Sequence, residues 1–308
     1  MSIKIRFWGV RGSIPAPGPR TMGYGGNTAC IELRMGENEK IIILDAGSGI
    51  RDLGAHLIKN DLPKGPLSID LLLTHTHWDH ILGFPFFSPI FIPNTKLNVY
   101  GPVTYEEDGL DKIIGGLLTY RYFPVKQSEL AAEINYIPLK ESTFDLGEGV
   151  FVTTKYLNHP ILCLGYRFEH KGRSVVTAFD TEPFRNLFPT DPSQPGYDPL
   201  VAEEGEKVAS EENEKILNFM KGADVIIHDA QYTEEELNKS YLGWGHSSFE
   251  HVIKTAHRAR AKRVVFFHHD PQRTDEQLDE LLAGYQKMIR GKTKLEISMA
   301  REGEEIVL

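Results

Sequence analysis

An α/β fold is predicted for this 308-residue chain by three observations. Short segments rich in Ile, Leu and Val recur along it, each bounded by Gly, Asn or Pro in the manner of strands. Stretches between them carry the apolar periodicity of helices. Neither a linker nor a short-period repeat interrupts the chain, so a single domain over 1–308 is expected. In the first half the strand segments are 3–8, 29–35, 41–44 and 69–73, and a helix over 50–59 follows the turn Gly47-Ser48-Gly49. Residues 105–133 read as a mixed segment, an inserted helix and loop that would supply an interface or cover a pocket. The second half repeats the strand-then-helix style, with strands at 150–156, 162–169, 174–179, 225–228 and 263–267 and helices at 203–220 and 249–260. The domain is therefore expected to consist of pseudo-duplicated halves, about 1–149 and 150–308. Four prolines between 184 and 199 make that stretch a loop, and a loop so placed can serve as a lid.

With 41% hydrophobic and 25% charged residues the composition is that of a globular protein that can bury a large core. Acidic residues outnumber basic ones, 43 to 34, for a formal charge of -9. That balance argues against broad capture of nucleic acid through its phosphates and suits small substrates. The two cysteines, Cys30 and Cys163, form no C-x-x-C spacing, so neither a disulfide framework nor a cysteine zinc knuckle is indicated and a reducing cytoplasm is expected. No window approaches the ~20 apolar residues of a membrane span, so no membrane partner is expected either.

The most informative segment is Leu71-Leu72-Leu73-Thr74-His75-Thr76-His77-Trp78-Asp79-His80. An apolar strand runs into three histidines and an aspartate within six residues, where the chain must leave its sheet. His75 and His77, two apart in extended chain, project to one side and can share a metal ion, while Asp79 and His80 at the following turn can face a second. Imidazole with carboxylate suits zinc, and also manganese or iron, better than calcium or magnesium. Polar residues decorating a strand end are the bland reading, but histidines clustered without partners are costly to bury.

This H-x-H-x-D-H word after a hydrophobic strand resembles the metallo-β-lactamase fold superfamily of hydrolases, over nearly the whole chain. The resemblance implies a four-layer αββα sandwich, two mixed sheets flanked by helices. It also implies further ligands, which match His159 in Leu157-Asn158-His159-Pro160, Asp180 in Phe179-Asp180-Thr181 and His268 in Phe266-Phe267-His268. His75, His77 and His159 would then hold one metal, Asp79, His80 and His268 the other, and Asp180 would bridge them. His269 competes with His268 for the last place; His268 is preferred as the first polar residue after the apolar run 264–267, which leaves His269 to support the site or face substrate.

Within the superfamily the chain is more similar to the branch of ribonuclease Z and related phosphodiesterases. Phe7-Trp8-Gly9-Val10-Arg11-Gly12-Ser13-Ile14-Pro15 stands at that branch's glycine-rich first turn and Leu44-Asp45-Ala46-Gly47-Ser48-Gly49 at its Asp-Gly motif. Ile227-His228-Asp229-Ala230 and Gly245-His246-Ser247-Ser248 resemble its His-Glu-Ala-Thr and His-Ser-Thr pair, in which an acidic residue and a histidine cooperate at the scissile phosphate. Asp229 replaces the usual glutamate and Ser248 the usual threonine, and no Gly/Pro-rich arm for gripping transfer RNA is evident. With the acidic balance, these departures favour a small phosphodiester such as a cyclic nucleotide over RNA. The implied chemistry is attack by a metal-bridging hydroxide oriented by Asp79, with His246, itself oriented by Asp229, as general acid. Other readings are a lactonase or thioesterase on the same fold, ribonuclease Z-like RNA processing, and a metal-stabilised binding module. Members of the branch often form homodimers, so a homodimer is a further expectation.

Other residues have plainer readings. Asp45 is either a turn or capping aspartate or, by resemblance, a partner that orients a ligand histidine. Gly23-Tyr24-Gly25-Gly26-Asn27-Thr28 reads as a turn before an anion cradle, and His228 as either a structural donor or a catalytic group. His56, His170, His251 and His257 are expected on the solvated surface, and Phe86-Phe87 and Phe266-Phe267 in core or pocket wall.

Overall fold

The structure, a computed structural model, describes residues 3–103 and 108–308. Fourteen strands among them form two seven-stranded mixed sheets. The first contains β1 (Lys4–Gly9), β2 (Cys30–Met35), β3 (Lys40–Leu44), β4 (Ser68–Leu72), β5 (Lys96–Pro102) and β6 (Glu133–Leu139). The second contains β7 (Thr143–Asp145), β8 (Phe151–Leu157), β9 (Cys163–His170), β10 (Arg173–Ala178), β11 (Val225–Asp229), β12 (Arg263–Phe267) and β13 (Glu296–Met299). The last strand, β14 (Glu305–Val307), returns to pair antiparallel with β1 in the first sheet. The orders are β14-β1-β2-β3-β4-β5-β6 and β13-β12-β11-β10-β9-β8-β7. Each sheet is antiparallel at one side and parallel at the other, the change falling at β3 in the first and at β10 in the second.

Four layers follow from which faces are apolar. The inner faces of both sheets pack on one another through Ile5, Phe7, Leu33, Leu44, Val152, Phe168, Val265 and Phe267. Phe267 stacks on Phe179 with ring centroids 4.4 Å apart. The first sheet's outer face carries α1 (Ile50–Asn60), α2 (Trp78–Ile81) and α3 (Leu110–Gly116), which bury Leu53, Leu57, Ile81 and Ile114 against it. The second sheet's outer face carries α4 (Pro199–Met220), the single turn α5 (Glu234–Glu236), α6 (Phe249–Arg258) and α7 (Asp275–Ile289), with Met220, Val252 and Leu278 buried. This is the αββα arrangement that the resemblance implies.

Several elements differ from expectation for physical reasons. β6 carries Pro138 and lies at a sheet edge, where the missing donor costs nothing, so its sequence does not look like a strand. Residues 110–132 lie in the crossover between parallel strands β5 and β6, with α3 as its helix. Residues 105–107 of the expected insertion lie outside the described residues. Helix α7 has a signal that the sequence reading passes over: Thr274 and Gln277 form a reciprocal capping box. His170 is buried rather than solvated, its Nδ1 3.0 Å from the Gly149 carbonyl. Phe87 is buried, whereas Phe86 is 54% exposed and sits edge-on to Phe123. Among the described residues no helix is long and apolar enough to cross a membrane.

One buried charge ties the N-terminal turn to the C-terminal half. Arg11 is fully buried and donates from Nε to the Gly25 carbonyl (2.8 Å) and from Nη1 to the carbonyls of Asp270 (3.1 Å) and Arg273 (2.7 Å), with Asp275 3.6 Å away. Arg11→Ala is expected to lower the unfolding free energy by about 3–5 kcal/mol, because it strands buried acceptors and leaves a cavity. Urea denaturation measures this, and a change within 0.5 kcal/mol, roughly that of a surface substitution, would contradict the role.

Candidate metal centre

The candidate ligands and Asp229 stand at or shortly beyond carboxyl ends of strands at one edge of the sandwich, the position where α/β sheets leave a crevice, and His246 lies in the loop that leads into α6. Asp45 follows β3, His75 and His77 follow β4, and Asp79 and His80 ride on α2. From the second sheet, His159 follows β8, Asp180 follows β10, Asp229 ends β11 and His268 follows β12. Asp45, Asp180 and His268 each turn the chain in the left-handed region, at φ 60°, 45° and 60°. Such turns aim the side chains inward across the edge at a backbone cost that the surrounding packing must offset.

Two ligand groups share Asp180, and a third candidate set, Asp229, His246 and His268, adjoins the second. The first comprises His75, His77, His159 and Asp180, the second Asp79, His80, Asp180 and His268, with all ligand atoms of each group within 4.8 Å of one another. Within them Asp79 Oδ2 lies 3.0 Å from His268 Nε2 and 3.3 Å from His80 Nε2. Asp180 Oδ1 lies 3.3 Å from both of those nitrogens, and Asp180 Oδ2 lies 3.6 Å from His75 Nε2.

The surrounding hydrogen bonds show what these atoms are arranged to hold. His80 Nδ1 meets Asp45 Oδ2 at 2.7 Å, and Asp45 also accepts from Thr74 N (2.7 Å) and Thr74 Oγ1 (2.8 Å). A carboxylate on Nδ1 fixes the proton there and leaves Nε2 as a bare lone pair. Asp45 therefore orients His80, and the residue capping α1 is Gly49 instead. The Gly245 carbonyl accepts from His159 Nδ1 (3.0 Å) and presents the Nε2 lone pair of His159 in the same way. Yet His159 Nε2 faces His77 Nδ1 at 3.0 Å, and His80 Nε2 faces His268 Nε2 at 3.2 Å. Buried His75 Nε2 and Asp180 Oδ1 have no hydrogen-bond partner. Lone pairs and carboxylates converging without donors fit divalent cations, and the nitrogen and oxygen donor set suits a dinuclear site.

Protonation directions agree with ligand duty at three histidines, whereas at His80 burial is outweighed by Asp180, Asp79 and Asp45, whose negative charge raises it well above the ordinary range as it would draw in a cation. Burial pushes His75 and His77 down, and His159 down to about 4, which favours their neutral forms. Burial opposes charge on Asp79 and Asp180, but neighbouring imidazoles hold both carboxyls below the usual range. Asp79 Oδ2 also accepts from Ser13 N at 2.7 Å, so the N-terminal turn reaches into the site. Gly12 permits that approach: a Cβ there would lie 2.4 Å from the His268 ring.

Beside the ligand groups stands a second pair. His246 Nδ1 is 3.0 Å from Asp229 Oδ2, which also accepts from Ser247 N (3.2 Å) and Thr181 N (3.3 Å). The His246 ring stacks on His268 with centroids 5.1 Å apart and tilts against His159 at 5.8 Å. Burial alone would lower His246, but the Asp229 carboxylate outweighs it and pushes it up to about 9. Ser248 caps α6 through the His251 amide, as expected of a helix beginning there. A cleft of about 500 Å³ opens from His159 and Gly245, lined also by Arg185, Asn186, Leu187 and Leu242. The proline-containing loop between β10 and α4 forms one wall of it.

Other candidates lie elsewhere. His269 donates from Nε2 to Ala300 O (2.9 Å) and packs against Tyr24, away from the ligand atoms. His228 Nδ1 meets the Asp229 carbonyl at 2.7 Å, so it supports the turn that carries Asp229. The amides of Gly23, Tyr24 and Asn27 are taken by the carboxylates of Asp275 and Glu302, so the glycine loop cradles the protein's own anions. Sequence reasoning missed Ser13, whose amide identity carries no side-chain signal, and Glu182, which accepts from Gly243 N (2.8 Å) and Gly245 N (3.1 Å).

Two mixed sheets with this paired His/Asp centre at their common edge define a metal-dependent hydrolase of the metallo-β-lactamase fold. Sequence relatives carry a more particular name: ribonuclease Z of Thermoplasma volcanium is 27% identical over 96% of this chain and 97% of its own. Among solved structures, the metallo-β-lactamase fold protein YhfI from Bacillus subtilis matches with a TM-score of 0.65 at 15% identity, covering 100% of this chain and 99% of its own. A diphosphatase of the PhnP family matches with a TM-score of 0.61 at 16% identity, covering 100% and 98%. No family model matches the chain.

Proposed function

We propose that this hydrolase is a phosphodiesterase acting on a small phosphodiester such as a cyclic nucleotide. The observation that carries the reading is the Asp229–His246 pair set against His268 and His159, because hydrolysis of a phosphodiester must protonate a poor alkoxide leaving group. His75, His77, His159 and Asp180 would hold one metal ion and Asp79, His80, Asp180 and His268 the other. Two such ions, zinc being the first choice, would activate water and neutralise the phosphoryl oxygens. Asp79, held by Ser13 N, would orient the attacking water. His246, kept protonated by Asp229, would give its proton to the departing oxygen from Nε2. The cleft beside His159 has the volume of a small-ligand site and would take the part of the substrate that does not react.

A second reading is RNA processing, favoured by the name of the Thermoplasma relative. One assay separates them: protein loaded with zinc or manganese is offered 3',5'- and 2',3'-cyclic nucleotides, an aryl phosphodiester, a precursor transfer RNA and a lactone. Preferred turnover of a cyclic nucleotide is the expected result. Preference for the transfer RNA would install the second reading, and preference for the lactone would remove the phosphodiesterase reading altogether.

A further inference from the structure

Glu182 belongs to neither ligand group, yet its side chain is 8% exposed and every part of it is engaged. Oε2 accepts from Gly243 N and Gly245 N, and Oε1 takes the Arg185 guanidinium. Its own amide donates to the Asn158 carbonyl at 2.9 Å, immediately before His159. Gly245 thus meets the Glu182 carboxylate through its N–H and, through its carbonyl in the next peptide unit, accepts from His159 Nδ1 at 3.0 Å. Gly245 sits at φ 83°, and a Cβ there would lie 2.2 Å from His159 Nδ1, so the backbone approaches the imidazole as closely as only glycine allows.

We infer that Glu182 is a positioning residue for the His159 side of the metal centre, acting through the backbone of Gly245. The N–H and the C=O of Gly245 belong to adjacent peptide units, so the carboxylate acts by fixing the loop backbone and with it the direction of the carbonyl that meets His159. An acceptor held in place on Nδ1–H fixes the ring plane and tautomer and leaves the opposite nitrogen aimed as a ligand. Gly245 immediately precedes His246, so one carboxylate clamps the loop that carries both the ligand's partner and the proton donor. Arg185 on the other oxygen lines the cleft, so the clamp also touches the wall where substrate would lie. The inference rests on His159 being a metal ligand, as proposed above.

The test uses the full chain with Glu182→Ala and Glu182→Gln. Zinc affinity is read by competition with a chromophoric chelator and ligand geometry by the absorption spectrum of the cobalt-loaded protein, neither of which needs a substrate. Glu182→Ala is expected to weaken zinc binding by about 10–100-fold, the range for a partner standing behind a ligand, and to shift the cobalt bands. Glu182→Gln keeps one acceptor oxygen and should fall between that variant and the wild type. A cobalt spectrum and zinc affinity equal to wild type in folded Glu182→Ala would overturn the inference. If that variant does not fold, wild-type values in Glu182→Gln overturn it instead. Altered metal binding in a protein that cleaves no phosphodiester would leave the inference standing and remove the substrate reading alone.

Discussion

Asp79→Asn is expected to reduce turnover by about 10³-fold, within the range that positioned groups supply, and to lower the metal content of the purified protein. The carboxylate lies 3.0 Å from His268 Nε2 and 3.3 Å from His80 Nε2, and it accepts the Ser13 amide at 2.7 Å. Asparagine keeps the shape but removes a charge from among buried imidazoles, and its amide group can turn a donor toward lone pairs that should meet a cation. Steady-state kinetics with elemental analysis for zinc and manganese measures both effects. Full metal content with wild-type kcat would remove Asp79 from the centre.

His246→Ala separates proton transfer from metal binding. Loss of a general acid costs about 10²–10⁴-fold, and kcat is expected to fall by that much on a substrate with an alkoxide leaving group. An aryl phosphodiester, whose phenolate departs without a proton, should lose far less. Metal content should be retained, because the four residues of each ligand group remain. The ratio of the two substrate effects is the diagnostic: equal losses on both would mean that His246 shapes the pocket and donates no proton.

Much of the site was legible because its first words are local. His75, His77, Asp79 and His80 lie within six residues, and their grouping after an apolar strand predicts shared metal on geometric grounds. The remaining residues of the two groups are distant in the chain, Asp79 and His268 being 189 residues apart, and no spacing rule joins them. His159, Asp180 and His268 entered through resemblance to a known fold, and the structure brings all three to the same edge. What stayed hidden depends on backbone. Ser13 acts through its amide, Glu182 acts on two glycine amides, and the left-handed turns at Asp45, Asp180 and His268 follow from packing beneath them. The edge strand β6 with its proline and the buried His170 were likewise set by neighbours far along the chain. Helix α7 is a different case, since its capping box was present in the letters.

The two sheets contribute equally to each ligand group, two residues apiece: His75 and His77 against His159 and Asp180, and Asp79 and His80 against Asp180 and His268. A cation in either place would therefore rivet one half of the sandwich to the other. An unfolded chain offers only the cluster from His75 to His80, so metal has far more to gain from the native state than from the disordered one. By mass action, ions present at a hundred times their dissociation constant would add about 2.7 kcal/mol per site to the folding equilibrium. The edge proposed for the chemistry would thereby also be a fastening, and the protein's resistance to unfolding would become a function of how much metal its surroundings supply.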